Sequence, residues 1–219
     1  MRMNYEQARM NMIEQQIRTW EVLNQGVLDL LTEVHREDFI PDPYKPLALA
    51  DMNIPLNHGE VTMTPKMEAR VIQSLDIRRE DKILEIGSGC GYFTALLARS
   101  GNIVYSIDIY DDFTRYAGNL LARHHIDNVQ LHTADGLSGW SEQAPYDVIA
   151  VTGSIPVYTP CFERHLAVGG RLFVIVGESP IMEACLVTRV GQDEWSRESL
   201  FETDLPPLVG AHKATTFEF

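Results

Sequence analysis

The sequence predicts an α/β fold: a Rossmann-like, doubly wound and mostly parallel sheet with an antiparallel edge hairpin and an N-terminal helical extension. From residue 82 onward, short β-rich runs alternate with helical stretches, and a glycine-rich turn follows the first run. Two late runs follow each other too closely to leave room for a helix. Such alternation is typical of parallel strands joined by right-handed crossover helices, in a sheet that is covered on both faces.

The N-terminal region is predicted to be helical. Apolar residues recur there at three- and four-residue steps, which predicts one amphipathic helix whose buried stripe is Met10, Ile13, Ile17 and Trp20. A second helix is expected between Val27 and Val34. Prolines interrupt residues 40–62, which should be irregular but ordered. Thr64 and Pro65 then resemble an N-cap and first helical position, and predict a third helix.

Seven strands are predicted in the remainder of the chain. Five should be parallel: Lys82–Gly87, Ile103–Asp108, Val129–Thr133, Asp147–Thr152 and Arg171–Gly177. Ala184–Val190 and Trp195–Phe201 follow each other across Gly191-Gln192-Asp193, with no room for a helix, and predict the edge hairpin. We expect one domain over residues 1–219, with residues 1–78 forming the helical extension and a substrate-side segment, and residues 79–219 forming the core and the C-terminal strands.

Composition narrows the possible functions. Hydrophobic residues make up 45% of the chain, which is enough for a packed core. The 18 Lys and Arg against 31 Asp and Glu give a net charge of −13, which disfavours a nucleic-acid partner. Three cysteines without metal-binding spacing indicate no metal site and a reducing, cytoplasmic compartment. No apolar run has the length of a membrane span.

The strongest local motif is a glycine-rich turn. A buried-strand pattern ends at Ile86 and turns through Gly87, Gly89 and Gly91 into a helix. Asp108 ends the next strand, 21 residues after the first glycine, where a carboxylate can accept both hydroxyls of a ribose.

The details of this turn favour S-adenosylmethionine over a dinucleotide. Tyr92 stands where the dinucleotide motif requires its last glycine, and Glu85 places a carboxyl near the ligand. A carboxyl suits a sulfonium and an ammonium better than a pyrophosphate. Asp135 and Gly136 follow the third strand, where Asp135 can accept a hydrogen bond from an adenine amino group. The glycine turn, Asp108 and Asp135 would meet at the carboxyl ends of three successive strands, where open α/β sheets bind ligands.

From about Met12 to Gly210 the chain resembles the protein-L-isoaspartate O-methyltransferases. The resemblance lies in residues 12–18 (MIEQQIR), 35–41 (HREDFIP), 54–59 (IPLNHG), 84–92 (LEIGSGCGY), 134–136 (ADG), 144–147 (APYD), 151–156 (VTGSIP), 169–172 (GGRL) and 205–209 (LPPLV). The glycine turn alone indicates only a class I methyltransferase. The helical N-terminus and the His-Gly segment make the resemblance specific to the family.

The resemblance implies that S-adenosylmethionine is the cofactor and that a carboxylate of damaged aspartyl residues in proteins or peptides is methylated. It implies that the cofactor is bound by His58, Glu85, Gly87, Gly89, Gly91, Asp108, Asp135 and Gly136. It also implies that the acceptor site is lined by residues 151–156, with His58, Met63, Thr152 and Ser154 contacting the substrate.

Two departures from the family pattern lie on the substrate side. The family's Ser-Gln-Pro, whose serine is regarded as the active-site residue, matches Met63, Thr64 and Pro65, and methionine has no hydroxyl. Thr62 or Thr64 is therefore expected to supply one. Residues 153–155 read Gly-Ser-Ile instead of small alanines, which predicts an altered acceptor pocket.

These departures leave two alternatives open. The protein could methylate a small-molecule acceptor, or bind S-adenosylmethionine without catalysis. A carboxylate acceptor is ionised at neutral pH and needs no general base, whereas an alcohol, phenol or amine would need one, for which His58 is the candidate. The sequence leaves the oligomeric state open.

Overall fold

A computed structural model describes residues 4–211. Its centre is a seven-stranded sheet in the order β3-β2-β1-β4-β5-β6-β7. The strands are β1 (Lys82–Ile86), β2 (Ile103–Asp108), β3 (Val129–Thr133), β4 (Tyr146–Ile155), β5 (Leu166–Glu178), β6 (Ile181–Arg189) and β7 (Trp195–Thr203). The first five strands are parallel to one another, whereas β6 is antiparallel to β5 and β7 is antiparallel to β6. The predicted fold class and the edge hairpin are confirmed.

The later strands begin or end outside their predicted bounds. β5 begins at Leu166, five residues before its predicted start, because Leu166 already pairs with Tyr146 across the Gly169-Gly170 interruption. β4 continues to Ile155, where Ser154 exchanges backbone hydrogen bonds with Pro206 and Leu208. These bonds attach residues 205–209, which we call the C-terminal segment, to the end of β4.

Five α-helices are described: α1 (Tyr5–Met12), α2 (Gln25–Glu33), α3 (Pro65–Leu75), α4 (Tyr92–Ser100) and α5 (Asp111–Arg123). Thr64 caps α3 by accepting a hydrogen bond from the Met67 N–H, and Pro65 takes the first helical position, as predicted. Residues 40–62 contain only 3₁₀ turns and one isolated bridge, so the expected irregular segment is also confirmed.

The first predicted helix is interrupted. After α1 the chain widens into a π-helical turn, Ile13–Ile17, and then tightens into a 3₁₀ turn, Arg18–Trp20. This change of pitch rotates the buried stripe, so that Met12 is buried whereas Met10 is 56% exposed. The prediction of Met10 as a buried residue was wrong because it assumed an unbroken 3.6-residue period.

The two faces of the sheet are covered differently. All five described α-helices contribute to one hydrophobic cluster, which also contains sheet residues such as Ile83 and Phe173. The opposite face packs against irregular segments, residues 134–145 and 156–165. The sheet is covered on both faces, as expected, but the crossover helices expected after β3 and after β4 are absent from the described residues. Glycines and prolines in these two segments explain the difference, since both disfavour a helix interior.

None of the helices over residues 4–211 has both the length and the apolar character that a membrane crossing requires.

Candidate active site

A cleft of about 880 Å³ lies at the carboxyl ends of β1, β2 and β4. Eight of the predicted site residues line it: Thr62, Met63, Gly87, Gly89, Asp108, Asp135, Gly136 and Thr152. The other five predicted site residues, His58, Thr64, Glu85, Gly91 and Ser154, are not among the lining residues.

The glycine turn forms the floor of the cleft. A Cβ atom at Gly87 would lie 2.2 Å from Thr152 Oγ1, and that hydroxyl donates to the carbonyls of Ile86 and Gly87 at 2.9 and 2.8 Å. Thr152 therefore joins the end of β4 to the turn. Gly91 has a different role, because a Cβ there would lie 3.0 Å from the Ala117 Cα on α5. It allows close packing between the turn and α5 rather than contact with a ligand.

Asp108 joins the floor to the end of β2. Its carboxylate accepts hydrogen bonds from the Gly89 N–H at 2.9 Å and the Tyr110 N–H at 3.0 Å. Burial raises the pKa of Asp108, and these backbone donors oppose that shift. A carboxylate has about four acceptor positions, so two remain for the hydroxyls of a ribose.

At the far end of the cleft, Asp135 is exposed and accepts a hydrogen bond from the Leu137 N–H at 2.9 Å through Oδ1. Its second oxygen remains available to an adenine amino group. The apolar side chains of Ile109, Phe113 and Leu137 line the same cleft. Sequence reasoning did not identify these three, since apolar residues beside strand ends or in a helix look like ordinary core.

Glu85 lies beneath the turn. It is fully buried, and its Oε2 accepts from the Thr94 and Ser106 hydroxyls at 2.6 and 2.5 Å. Burial raises the pKa of Glu85 to about 7, against the effect of those two hydrogen bonds. Glu85 Oε1 is buried without a hydrogen-bond partner, as is the hydroxyl of Ser88 in the turn. Such orphaned polar atoms are rare in proteins, and the hydroxyl of Ser88, which lines the cleft, fits a site that binds a polar ligand.

Residues 54–63, which we call the strap, form one wall of the cleft. Pro55 and Val61 pair across it, and Leu56, Glu60, Thr62 and Met63 line the cleft. His58 stands on the outer side, where its ring stacks on Tyr110 at 3.8 Å and its Nε2 lies 2.9 Å from Asp112 Oδ1. The structure thus gives His58 the role of fastening the strap to α5.

The two threonines that flank Met63 differ in position. Thr62 is 6% exposed and lines the cleft beside Met63. Thr64 Oγ1 instead accepts the capping hydrogen bond of α3, at 3.4 Å from the Met67 nitrogen. Thr62 is therefore the nearer of the two to any ligand in the cleft.

Ser154 is placed outside the cleft. It is fully buried, and its hydroxyl donates to the Leu205 carbonyl at 2.8 Å, which holds the C-terminal segment against β4. Gly153 lines the cleft in its place, with Pro207, Leu208 and Val209 alongside. The expected gain of a hydroxyl in the acceptor pocket at this position does not occur.

The charged side chains that line the cleft over the described residues are all acidic. Four carboxyl groups are among its lining residues, those of Glu60, Glu68, Asp108 and Asp135, whereas no lysine or arginine is found among the described lining residues. Sequence reasoning missed Glu60, whose pKa is raised by burial and by Asp108. A cleft of this charge favours a cationic ligand.

The glycine turn, the acidic residue that ends β2 and the strap together match a known family. The sequence of residues 7–213 matches the family model of the protein-L-isoaspartate(D-aspartate) O-methyltransferases. The chain belongs to this family. A protein-L-isoaspartate O-methyltransferase 2 from Pelobacter propionicus is 35% identical over 95% of this chain and 93% of its own. A protein-L-isoaspartate O-methyltransferase from Protochlamydia amoebophila is 34% identical over 91% of this chain and 95% of its own.

Solved structures agree with the fold. A crystal structure of a protein-L-isoaspartate O-methyltransferase from Plasmodium falciparum, in complex with S-adenosyl-L-homocysteine, has a TM-score of 0.78 and 18% identity, over 94% of this chain and 99% of its own. Another protein-L-isoaspartate O-methyltransferase has a TM-score of 0.80 and 23% identity, over 94% of this chain and 67% of its own. Family membership confirms the prediction that the protein is an S-adenosylmethionine-dependent O-methyltransferase.

Proposed function

We propose that the protein methylates the carboxylate of L-isoaspartyl residues in proteins and peptides, and that the strap supplies the hydroxyl on the acceptor side through Thr62. The observation that carries this proposal is the cleft itself. It joins family-type cofactor residues to a buried threonine hydroxyl that lies next to Met63.

The residues present fit S-adenosylmethionine. Asp108 would hold the ribose, Asp135 would hold the adenine amino group, and Gly87 and Gly89 would allow close approach to the backbone. The unpartnered Ser88 hydroxyl would contact the methionine portion. Glu85 would act from beneath the turn through its charge rather than by contact. When bound, S-adenosylmethionine supplies an electrophilic methyl group whose transfer to a carboxylate oxygen moves no proton.

The acceptor side needs positioning more than acid-base chemistry. A carboxylate is ionised at neutral pH, so alignment of the reacting groups supplies most of the catalytic effect, up to roughly 7–11 kcal/mol. His58, the predicted base for a protic acceptor, lies outside the cleft against Asp112 and Tyr110. That position supports a carboxylate acceptor over an alcohol, phenol or amine.

Family membership does not favour the small-molecule and non-catalytic alternatives. We further propose a cytoplasmic location, on the basis of the three unpaired cysteines.

Product analysis tests the proposal. The protein is incubated with methyl-labelled S-adenosylmethionine and an L-isoaspartyl peptide, and the product is fragmented in a mass spectrometer. We expect one methyl group on the isoaspartyl carboxylate, released as methanol by mild alkali because it is an ester. A methyl group that resists alkali, or one located on another side chain, would contradict the proposed acceptor.

A further inference from the structure

The guanidinium of Arg36 lies behind the strap and is only 1% exposed. Its Nη1 donates to the Ala48 carbonyl at 2.6 Å, and its Nη2 donates to the Met63 carbonyl at 2.8 Å. Its Nε donates to Glu68 Oε2 at 2.9 Å, so the buried charge is paired. Arg36 therefore fixes the backbone position at which the family's serine would stand.

Arg36 also contacts the hydroxyl of Thr62. That oxygen accepts a hydrogen bond from Arg36 Nη2 at 3.0 Å and a second from the Ile54 N–H at 3.1 Å. A hydroxyl has two acceptor lone pairs and one proton. Both lone pairs of Thr62 are in use, and no residue of the described range 4–211 accepts its proton in a hydrogen bond.

We infer that Arg36 is a positioning residue that commits the Thr62 hydroxyl to donating into the cleft, and so selects a hydrogen-bond-accepting carboxylate as the methyl acceptor. This inference rests on the proposed function. The donor is polarised by a charged partner on its own oxygen, which strengthens the hydrogen bond it gives. An acceptor that must lose a proton, such as an amine or an alcohol, finds no lone pair at this hydroxyl.

The arrangement also explains how the site functions with methionine at position 63. The Met63 side chain gives an apolar wall, since it is 4% exposed and lines the cleft. The hydroxyl moves one residue along the strap to Thr62. A donating hydroxyl at Thr62 requires an arginine behind the strap. Without Arg36, one lone pair of the Thr62 oxygen would be free, and the direction of its O–H bond would not be fixed.

A double-mutant cycle tests the inference, because residues that act through one another are non-additive. Arg36 is removed together with its partner, as Arg36→Met with Glu68→Leu, since removing one member would strand a buried charge. This pair is combined with Thr62→Val. The value of kcat/KM is measured with an L-isoaspartyl peptide, and binding of S-adenosylhomocysteine and the melting temperature are measured on every variant.

We expect Thr62→Val to lower kcat/KM at least tenfold, about 1.4 kcal/mol. The Arg36/Glu68 variant should lower it by a similar factor, and the triple variant no further, with the affinity of the triple variant for S-adenosylhomocysteine within about twofold of that of the Arg36/Glu68 variant. Multiplied effects in the triple variant, or an Arg36/Glu68 variant with normal kcat/KM, would overturn the inference.

Conservative variants provide a second test if the protein that carries Arg36→Met and Glu68→Leu does not fold. Thr62→Ser retains the hydroxyl and should retain at least half of the wild-type kcat/KM. Arg36→Lys retains the charge but cannot make all of the guanidinium contacts, and should lose rate only while residue 62 carries a hydroxyl. If Arg36→Lys lowers the rate equally beside Thr62→Val, the inference fails. Wild-type protein that methylates no isoaspartyl peptide would instead remove the proposed function, and the inference with it.

Discussion

Asp108 serves both the ligand and the fold of the turn. Its carboxylate accepts from the Gly89 and Tyr110 N–H groups and retains lone pairs toward the cleft. Glycine turns of this kind need such a partner, because their backbone N–H groups are otherwise left without acceptors. The acidic residue after β2 thus holds the floor in place and is available to bind the ribose.

Replacing Asp108 by alanine should weaken cofactor binding. We expect the dissociation constant of S-adenosylhomocysteine, measured by calorimetry, to rise roughly 10- to 150-fold. This factor corresponds to the loss of about 1.5–3 kcal/mol, the contribution of hydrogen bonds to a charged group. Asp127→Ala is the control, since it removes an exposed carboxylate between α5 and β3, away from the cleft. Equal affinities in folded Asp108→Ala and wild-type protein would remove Asp108 from the ribose site.

The role of single residues was predictable only in part. Gly87, Asp108 and Asp135 were identifiable because each lies at or just after the end of a strand, and parallel strand ends meet at one edge. Arg36 was not, since its contacts reach 26 residues along the chain to Thr62 and leave no periodic signal. The position of Ser154 also could not be read from alternation, because the β4–β5 register shifts between Ala150 and Ser154.

Among the elements, the strap is held against α5 by side-chain hydrogen bonds. It attaches to α5 through Asp112, which accepts from Asn57 Nδ2 at 3.0 Å and lies 2.9 Å from His58 Nε2. The hydrogen bonds from Asn57 and then His58 lower the pKa of Asp112. His58 has φ of 60° and Gly59 of 81°, so the strap reverses direction through two left-handed residues in succession.

Loss of this attachment should affect ligand binding and leave the fold intact. We expect Asp112→Ala to raise the dissociation constant of S-adenosylhomocysteine about two- to fivefold, because exposed polar pairs contribute little each. Asp111→Ala is the matched control, since it removes the preceding acid of the same helix, which contacts Arg115 and not the strap. An equal loss of affinity in both variants would show that the N-terminal charge of α5, rather than the strap, is responsible.

On the scale of the whole molecule, the N-terminal helices and the sheet share one hydrophobic cluster. Trp20 also packs against Phe201 of β7, with ring centroids 5.0 Å apart. We therefore propose that residues 1–78 and 79–219 form one cooperative domain. The helices on one face were predictable from their periodicity, whereas the loops on the other were not, since chain length between strands does not distinguish a helix from an irregular segment.

Stability should depend on pH through the buried carboxyls. Burial raises the pKa of Glu85 from 4.5 to about 7, and that of Glu68 shifts in the same direction. Between pH 4.5 and 7 the folded state binds more protons than the unfolded state, so these groups reduce stability as pH rises. Below pH 4.5 both groups are protonated in both states and this destabilisation disappears. Above pH 7 both are ionised and the destabilisation has its full value.

Glu85→Gln isolates the contribution of one group. We expect the free energy of unfolding of Glu85→Gln, relative to wild type, to increase by on the order of 3 kcal/mol between pH 4.5 and pH 8, because glutamine carries no charge to bury. Urea denaturation followed by fluorescence and circular dichroism measures this difference. An unchanged difference across the pH range would mean that Glu85 ionises in the folded protein as readily as in the unfolded chain.

The most direct test of the account is the ratio of kcat/KM for two peptides that are identical except for L-isoaspartyl or L-aspartyl at one position. Labelled S-adenosylmethionine is the donor in both reactions. We predict a ratio of at least about 100, because a site built around hydrogen bonds to one acceptor rejects a misplaced one strongly. Equal rates on the two peptides, or no methyl ester on either by a protein that binds S-adenosylhomocysteine, would contradict the account.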